Sequence, residues 1–423
     1  MKLQLLPSAT SGTVKAIASK SVAHRLLICA AFADADTVVR CEEVNRDIEA
    51  TVRCLQALGA TVIRQGADYR VSPIGKPPKT AVLDCGESGS TLRFFVPITC
   101  MLGIDSSFRM EGRLPQRPLS PLRERLEEAG ISFSKIGSNP LRAEGTLNRT
   151  DFSIPGNVSS QFISGLLFAL ACSGKGGSVT VEGALESAPC VDMTLDALRL
   201  FGIRATRTDS LIRVHKSASL SSPRTLSVEG DWSGAAFPLC LGAIGSGAIS
   251  VTGLSLTSRQ GDRAILSLLR RFGAEVTEEA NCVTVSPTPL RGISIDASQI
   301  PDLVPILAVV ASVAEGRTEI RGAARLRIKE SDRLTAVRQL LSHLGARIIE
   351  HEDGLTIDGV SRLRGGTVSA FGDHRIAMSA AVASAVCDAP LWIEGAEAVE
   401  KSYPSFWNTM NVLGMSPQIN ENF

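Results

Sequence analysis

Basic side chains recur where polar segments of this chain give way to long apolar runs. Lys20 and Arg25 lie in Ser19-Lys20-Ser21-Val22-Ala23-His24-Arg25, Arg93 in Glu87-Ser88-Gly89-Ser90-Thr91-Leu92-Arg93, and Arg375 in Phe371-Gly372-Asp373-His374-Arg375. Three comparable segments, Val158-Ser159-Ser160-Gln161-Phe162, Asp231-Trp232-Ser233-Gly234 and Ile300-Pro301-Asp302-Leu303, carry hydroxyl, amide or carboxyl groups instead. Ser, Asp and Gly at such boundaries are what a helix N-cap requires. The cations need another reason, because the first turn of a helix holds the positive end of its dipole. An anion shared between the open backbone N–H groups and the basic side chains removes the conflict. Repeated in several places facing one cleft, the pattern predicts a site for a ligand with several phosphates or carboxylates. Each charge-assisted hydrogen bond there contributes about 1.5–3 kcal/mol.

Two further clusters lie outside the helix starts. Arg325-Leu326-Arg327-Ile328-Lys329-Glu330-Ser331-Asp332-Arg333 packs six charges into nine residues, a composition that fits a solvated surface run equally well. Arg113-Leu114-Pro115-Gln116-Arg117-Pro118-Leu119 holds Arg117 between a turn and a helix start. Lys401-Ser402-Tyr403-Pro404 is less specific. The net charge of the 423-residue chain is only +1, which excludes a surface-wide basic field for nucleic acid, so any anion must be held by local clusters. The ten cysteines include no Cys-x-x-Cys pair and read as buried free thiols rather than a metal or redox site. The first residues lack a signal-peptide core. The apolar stretches at 306–313 and 380–387 are too short to span a bilayer. A cytoplasmic protein without membrane or nucleic-acid partners is expected.

The elements that position these residues follow from a repeat. Gly59, Gly130, Gly202, Gly273, Gly345 and Gly414 each close a helix-like run, at spacings of 71, 72, 71, 72 and 69 residues. A constant period means one unit copied six times. A second landmark, a short alternating strand ending in Gly, recurs at Gly112, Gly183, Gly253, Gly322 and Gly395; the first unit has Thr37-Val38-Val39-Arg40 in that place. The runs at 162–172, 235–244, 303–313 and 376–386 are apolar on nearly every face, as fully buried helices are. Each unit therefore reads as βαβαββ with one buried and one exposed helix. Six such units predict an α/β (α+β) protein of two domains with buried helices inside and sheets outside. The expected domains are 18–228 (repeats 1–3) and 1–17 with 229–423 (the N-terminal strand and repeats 4–6), with a cleft between them. Ser187-Ala188-Pro189 reads as a turn leading into a helix over 193–201.

With these residues in view the chain resembles the EPSP synthase family of enolpyruvyl transferases. The resemblance is carried by Ser-Lys-Ser-x-x-x-Arg at 19–25, Gly-Ser-Thr-Leu-Arg at 89–93, Arg-Pro-Leu at 117–119 and Val-Ser-Ser-Gln-Phe at 158–162. Ile-Pro-Asp at 300–302, Lys-Glu-Ser-Asp-Arg-Leu at 329–334 and Gly-Asp-His-Arg-Ile-Ala-Met at 372–378 complete it. The family implies two domains, each a pseudo-threefold array of βαβαββ units. It also implies transfer of the enolpyruvyl group of phosphoenolpyruvate to the 5-hydroxyl of shikimate 3-phosphate. By position, Lys20, Ser21, Arg25, Ser159, Ser160, Gln161, Ser187, Asp302 and Lys329 would hold shikimate 3-phosphate. Lys20, Gly89, Arg117, Gln161, Arg333, Arg375 and Lys401 would hold phosphoenolpyruvate. Lys20, Asp302 and Glu330 would be catalytic, with the two carboxyls as acid and base. Glu330 lies between Lys329 and Arg333, so its protonation depends on the ligands bound. No metal and no cofactor are needed, and a monomer is expected.

Four positions depart from the family pattern: Ala18 before Ser-Lys-Ser, Glu87 and Arg325 where Asn is common, and Cys190 where an aromatic is common. Cys190 is expected to pack in the acceptor pocket without acting as a nucleophile. Two alternatives are weaker. The related UDP-N-acetylglucosamine enolpyruvyl transferases usually carry Lys-Asn and a loop cysteine, where this chain has Lys20-Ser21 and a cysteine-free 111–118. A non-catalytic binding protein is expected to lose Lys20, Asp302 or Glu330, and all three are present.

Overall fold

The computed structural model describes residues 1–420; residues 421–423, which end the expected 229–423 segment, lie outside the described residues. The chain opens with β1 (Lys2–Leu5) and β2 (Gly12–Lys15). The first repeat runs α1 (Lys20–Ala31), β3 (Thr37–Arg40), α2 (Arg46–Ala57), β4 (Thr61–Gln65) and β5 (Asp68–Ser72). The second is β6 (Thr80–Asp84), α3 (Gly89–Leu102), β7 (Asp105–Arg109), α4 (Leu122–Glu127), β8 (Ser132–Phe133) and β9 (Leu141–Glu144). The third is β10 (Asp151–Pro155), α5 (Ser160–Cys172), β11 (Gly177–Glu182), α6 (Ala188–Leu200), β12 (Ala205–Arg207) and β13 (Leu211–Val214). After β14 (Thr225–Ser227), the fourth runs α7 (Trp232–Ile244), β15 (Ile249–Thr252), α8 (Ile265–Phe272), β16 (Glu275–Glu279) and β17 (Cys282–Ser286). The fifth is β18 (Ser294–Asp296), α9 (Val304–Val313), β19 (Arg317–Arg321), α10 (Arg333–His343), β20 (Arg347–His351) and β21 (Gly354–Asp358). The sixth is β22 (Gly366–Ser369), α11 (His374–Ser384), β23 (Leu391–Glu394), α12 (Phe406–Val412) and β24 (Gln418–Asn420).

Each repeat builds a four-stranded sheet in which one parallel pair is extended by antiparallel strands, as in β6-β7-β9-β8 and β10-β11-β13-β12. Repeats one and four lack an opening strand of their own. β14 supplies it to the first, pairing parallel with β3, and β2 supplies it to the fourth, pairing parallel with β15. β1 lies between β23 and β24 and completes the sixth sheet. The chain divides into two compact units, 18–228 and 1–17 together with the chain from 229 on. Each has its own apolar core.

The local reasons are simple. α8 buries Ile265, Leu268, Leu269 and Phe272, the i, i+3, i+4, i+7 stripe, and leaves Arg270 and Arg271 exposed. The six periodic glycines all have φ between 76° and 110°, the left-handed conformation that ends a helix with little strain only when Cβ is absent. Asn45, Ser88, Ser159, Asp231, Asp332 and Asp373 cap α2, α3, α5, α7, α10 and α11 through their side chains. α9 begins differently, after a 3₁₀ turn over Pro301–Leu303. The expected helix at 193–201 starts earlier, because Pro189 fits the first turn of α6, where no backbone N–H is needed. Cys190 therefore sits inside a helix, not in a turn before it. Among the described residues no helix is long and apolar enough to cross a membrane.

In the 18–228 unit, α3 packs along α5 at unusually close range. Pro97 lies inside α3 and cannot donate to the carbonyl of Arg93. A Cβ at Gly165 of α5 would fall 2.2 Å from that carbonyl oxygen and 2.9 Å from Cγ of Pro97. The glycine thus lets one backbone cover the open carbonyl of the other. Gly165→Ala should force the helices apart and cost about 1–3 kcal/mol by overpacking. The urea midpoint measures it, and an unchanged midpoint would contradict this close approach.

Candidate active site

In the 18–228 unit the chemistry gathers at the starts of α1, α3, α5 and α6. Lys20 is the first residue of α1, and its Nζ lies 2.9 Å from Oδ2 of Asp47, in the first turn of α2. One turn further on, Arg25 is 4% exposed. Its guanidinium donates to the Ser21 carbonyl (2.6 Å), Thr194 Oγ1 (2.9 Å) and the Cys190 carbonyl (2.9 Å), and lies over the Phe94 ring. Burial lowers its pKa, but a guanidinium stays charged at any ordinary pH. Three hydrogen bonds thus hold its direction before any ligand arrives.

Arg93 and Arg117 converge on Gly89, the first residue of α3. A Cβ there would stand 2.8 Å from a terminal nitrogen of each guanidinium. Two cations against the positive end of a helix are the arrangement an anion resolves. Gln161 adjoins them: its amide oxygen accepts from Arg93 (2.8 Å) and its amide nitrogen donates to Ser90 Oγ (2.8 Å). Ser159 caps α5, accepting from the Gln161 N–H, and Ser160 is the first helical residue. Ser187 holds a left-handed conformation at the start of α6. Glu87 lies against Gly112.

Beneath these residues runs a buried chain of hydroxyls. His24 Nδ1 is 2.7 Å from Thr51 Oγ1, which is 2.8 Å from Thr91 Oγ1, which donates to Ser88 Oγ (2.7 Å). It ties α1 to α2 and to the cap of α3. Burial pushes His24 down to about 3; Asp47 acts in the opposite sense, while Lys20 and Arg25 add to the fall. The ring is therefore neutral and serves as a structural hydrogen-bonding group.

The second unit holds a compact charge cluster around Arg333, whose side chain is 2% exposed. Its Nη1 donates to Asp302 (2.7 Å), Nη2 to Glu330 (2.8 Å), and Nε with Nη2 to Asp373 (2.8 and 3.2 Å). Asp373 also caps α11 by accepting from the Arg375 N–H (2.9 Å) and accepts from Ser331 Oγ (3.0 Å). Lys329 Nζ and Arg375 Nη2 each lie 3.5 Å from Asp302, and Lys401 Nζ is 3.8 Å from Glu330. Arg325 turns toward the Ser298 carbonyl (2.8 Å). The 325–333 run is thus not a solvated surface segment. Arg333 is buried, and Leu326 packs into the core.

The charges set the protonation states. Burial pushes Asp302 up, but Arg375, Lys329 and Arg333 together hold its carboxyl well below the usual range of about 3.8. Asp373 is lowered too: burial opposes the charge, and Arg333 and His374 favour it. Asp262 moves the other way, raised by burial and by Asp302 against the pull of Arg375. Lys329 is lowered, chiefly by burial, with Asp302 opposing.

The structure thus brings Lys20, Ser21 and Arg25 together on α1. It groups Gly89, Arg117 and Gln161 with Ser159 and Ser160, and collects Asp302, Lys329, Glu330, Arg333, Arg375 and Lys401 around one guanidinium. Sequence reasoning missed Asp47 and gave Asp373 only a capping role. It also missed the Ser233–Asp262 pair, in which Ser233 Oγ donates at 2.5 Å. Asp373 had a signal, its place between Gly372 and a basic helix start; Asp47 and Asp262 had none.

Comparison with known proteins identifies the family and the fold. The profile of the family described as EPSP synthase (3-phosphoshikimate 1-carboxyvinyltransferase) matches residues 6–410. A 3-phosphoshikimate 1-carboxyvinyltransferase of Clostridium kluyveri is 42% identical over 412 residues, 96% of either chain. One from Clostridium acetobutylicum is 40% identical over 418 residues, 97% of either chain. The solved EPSP synthase of Acinetobacter baumannii superposes with a TM-score of 0.83 at 25% identity, covering 99% of this chain and all of that one. The enolpyruvyl transferase NikO of Streptomyces tendae shares the fold, with a TM-score of 0.78 at 18% identity over 99% of this chain and 98% of that one. The fold is that of the enolpyruvyl transferases. Within that class, the chain belongs to the EPSP synthase family.

The His24 chain yields a pH prediction. Unfolded His24 takes up a proton below about pH 6.5, whereas folded His24 resists until about 3. Stability conferred by the 18–228 unit should therefore fall as pH drops through that window, at roughly 1.4 kcal/mol per pH unit from this group. His24→Gln should flatten the dependence. Urea midpoints between pH 6 and 4 check it, and equal slopes for both proteins would contradict it.

Proposed function

We infer that the chain transfers the enolpyruvyl group of phosphoenolpyruvate to the 5-hydroxyl of shikimate 3-phosphate and releases phosphate, acting as a cytoplasmic monomer. The observation that carries this reading is the Arg333 cluster. It holds two carboxyls, Asp302 and Glu330, beside the cations Lys329, Arg375 and Lys401. In addition, Asp302 accepts the proton of the 5-hydroxyl as its oxygen bonds to C2 of phosphoenolpyruvate, while Glu330 delivers a proton to the methylene carbon C3. In elimination the new methyl group returns a proton, the C2–O bond to phosphate breaks, and phosphate leaves. Charge carried by the leaving phosphate falls to Lys20, Arg117, Arg333, Arg375 and Lys401. Arg25 uses three of its five N–H groups within the protein, leaving one on each terminal nitrogen for the acceptor. Lys20 contacts both substrates, and Ser21, Ser159, Ser160, Gln161, Ser187 and Lys329 complete the acceptor's polar contacts. Gly89 keeps the α3 terminus open to the donor. Cys190 packs beside the acceptor.

A coupled phosphate-release assay tests the reading. Phosphate should appear with shikimate 3-phosphate and not with UDP-N-acetylglucosamine; the reverse would overturn it. Lys20→Met should lower turnover at least about 100-fold. It also leaves Asp47, 8% exposed, without this cation, so about 1–3 kcal/mol of stability should be lost. Lys20→Met with Asp47→Asn should recover the stability and not the turnover. Recovered turnover in the double variant would show that Lys20 has only a structural part.

A further inference from the structure

Arg375 is aimed by more than its ion pair with the Asp302 carboxylate. Its Nη1 donates to the Asp302 carbonyl (3.1 Å), and its Nη2 donates to Ser233 Oγ (2.7 Å). The Ser233 hydroxyl in turn donates a hydrogen bond to Asp262 Oδ2, at 2.5 Å. A serine hydroxyl has one proton and two lone pairs. With the proton committed to a carboxylate, a lone pair is fixed in the direction of Arg375. Without Asp262 the hydroxyl is free to rotate and loses its hold on the guanidinium.

The loop that carries Asp262 is fastened to the start of α7 over a short span. Gln260 accepts from the Trp232 N–H (3.1 Å) and donates to Glu229 (2.9 Å) and the Gly230 carbonyl (2.8 Å). Ser258 donates to Glu229 (2.7 Å), and the Trp232 indole donates to the Ser255 carbonyl (3.1 Å). Gln260 and Ser258 are 5% and 8% exposed, so this bracing is shielded from water. It sets the distance from Asp262 to Ser233, and through Ser233 the direction of Arg375. A helix start needs much less: Asp231 already caps α7 by accepting from the Ser233 N–H (3.2 Å).

We propose that Asp262, acting through the Ser233 hydroxyl, is a positioning residue for Arg375, and that the pair determines how tightly the donor's phosphate or carboxylate is gripped. The inference rests on the reading of Arg375 as a phosphoenolpyruvate ligand. Neither Asp262 nor Ser233 is among the residues proposed above to contact the acceptor or the reacting atoms, so their loss should act on the donor alone.

The test uses the full chain and steady-state phosphate release. Ser233→Ala and Asp262→Ala should each raise KM for phosphoenolpyruvate about tenfold, with kcat and KM for shikimate 3-phosphate within about twofold of the parent. The double variant should be no worse than either single one, because both residues act along one chain. Asp262→Asn keeps an acceptor for the Ser233 proton and should restore KM to within about threefold. Thermal unfolding accompanies each assay, so that a variant that does not fold is replaced by Ser233→Thr, which keeps the hydroxyl and should keep KM. Additive losses, an equal rise in both KM values, or an unchanged KM for phosphoenolpyruvate would overturn the inference. If those results come with an active parent, the enzymatic reading survives; a parent that releases no phosphate removes both.

Discussion

One guanidinium organises the buried charge cluster of the second unit. Arg333 is almost fully buried, and its N–H groups are shared among Asp302, Glu330 and Asp373. Taking such groups out of water costs several kcal/mol per ion, and only close geometry offsets it. The cluster is therefore poor evidence for stability and good evidence for placement. It fastens three segments distant in sequence: the 3₁₀ turn with Asp302, the stretch with Glu330, and the cap of α11. The carboxyls proposed to handle protons are thus held by the group proposed to meet the donor.

The other unit solves a similar problem with less charge. Four helix starts leave backbone N–H groups that the helix itself does not pair, and the guanidiniums of Arg93 and Arg117 converge on one of them, at Gly89. The neutral chain from His24 to Ser88 sets the relative positions of α1, α2 and α3. A neutral network suits this place, because further cations among Lys20, Arg25, Arg93 and Arg117 add repulsion. Both units use the same βαβαββ repeat, whose buried helix starts next to a sheet edge. The fold therefore supplies anion seats as a by-product of its topology, and the side chains at each seat give it a specific task.

Much of this was legible in the sequence because the signals are local. Periodic glycines locate helix ends, apolar runs locate buried helices, and cap residues locate their starts. The seven motifs marked the proposed site residues for the same reason, each lying within a few residues of a helix start. What stayed hidden depends on contacts between distant segments. Asp47 meets Lys20 across 27 residues, Asp262 meets Ser233 across 29, and Ser331 meets Asp373 across 42. Nothing in the 325–333 run distinguishes a buried arginine from a solvated one; the difference lies in the three carboxylates that surround Arg333. The start of α6 was misplaced because a Ser-Ala-Pro segment serves a turn and a helix start alike. The borrowed strands β2 and β14 were also hidden, since a short strand does not declare which sheet it joins.

Arg375, Lys329 and Arg333 together keep Asp302 ionised in the folded chain, the state its proposed role as a base requires. Carbon NMR of protein labelled at the aspartate carboxyls, with the signal assigned by its loss in Asp302→Asn, measures this directly. The carboxyl shift of Asp302 should stay at its ionised value from about pH 7 down to about pH 4, below which an ordinary aspartate protonates. A titration of that signal within this range, with the fold intact, would show that the three cations do not hold Asp302 ionised.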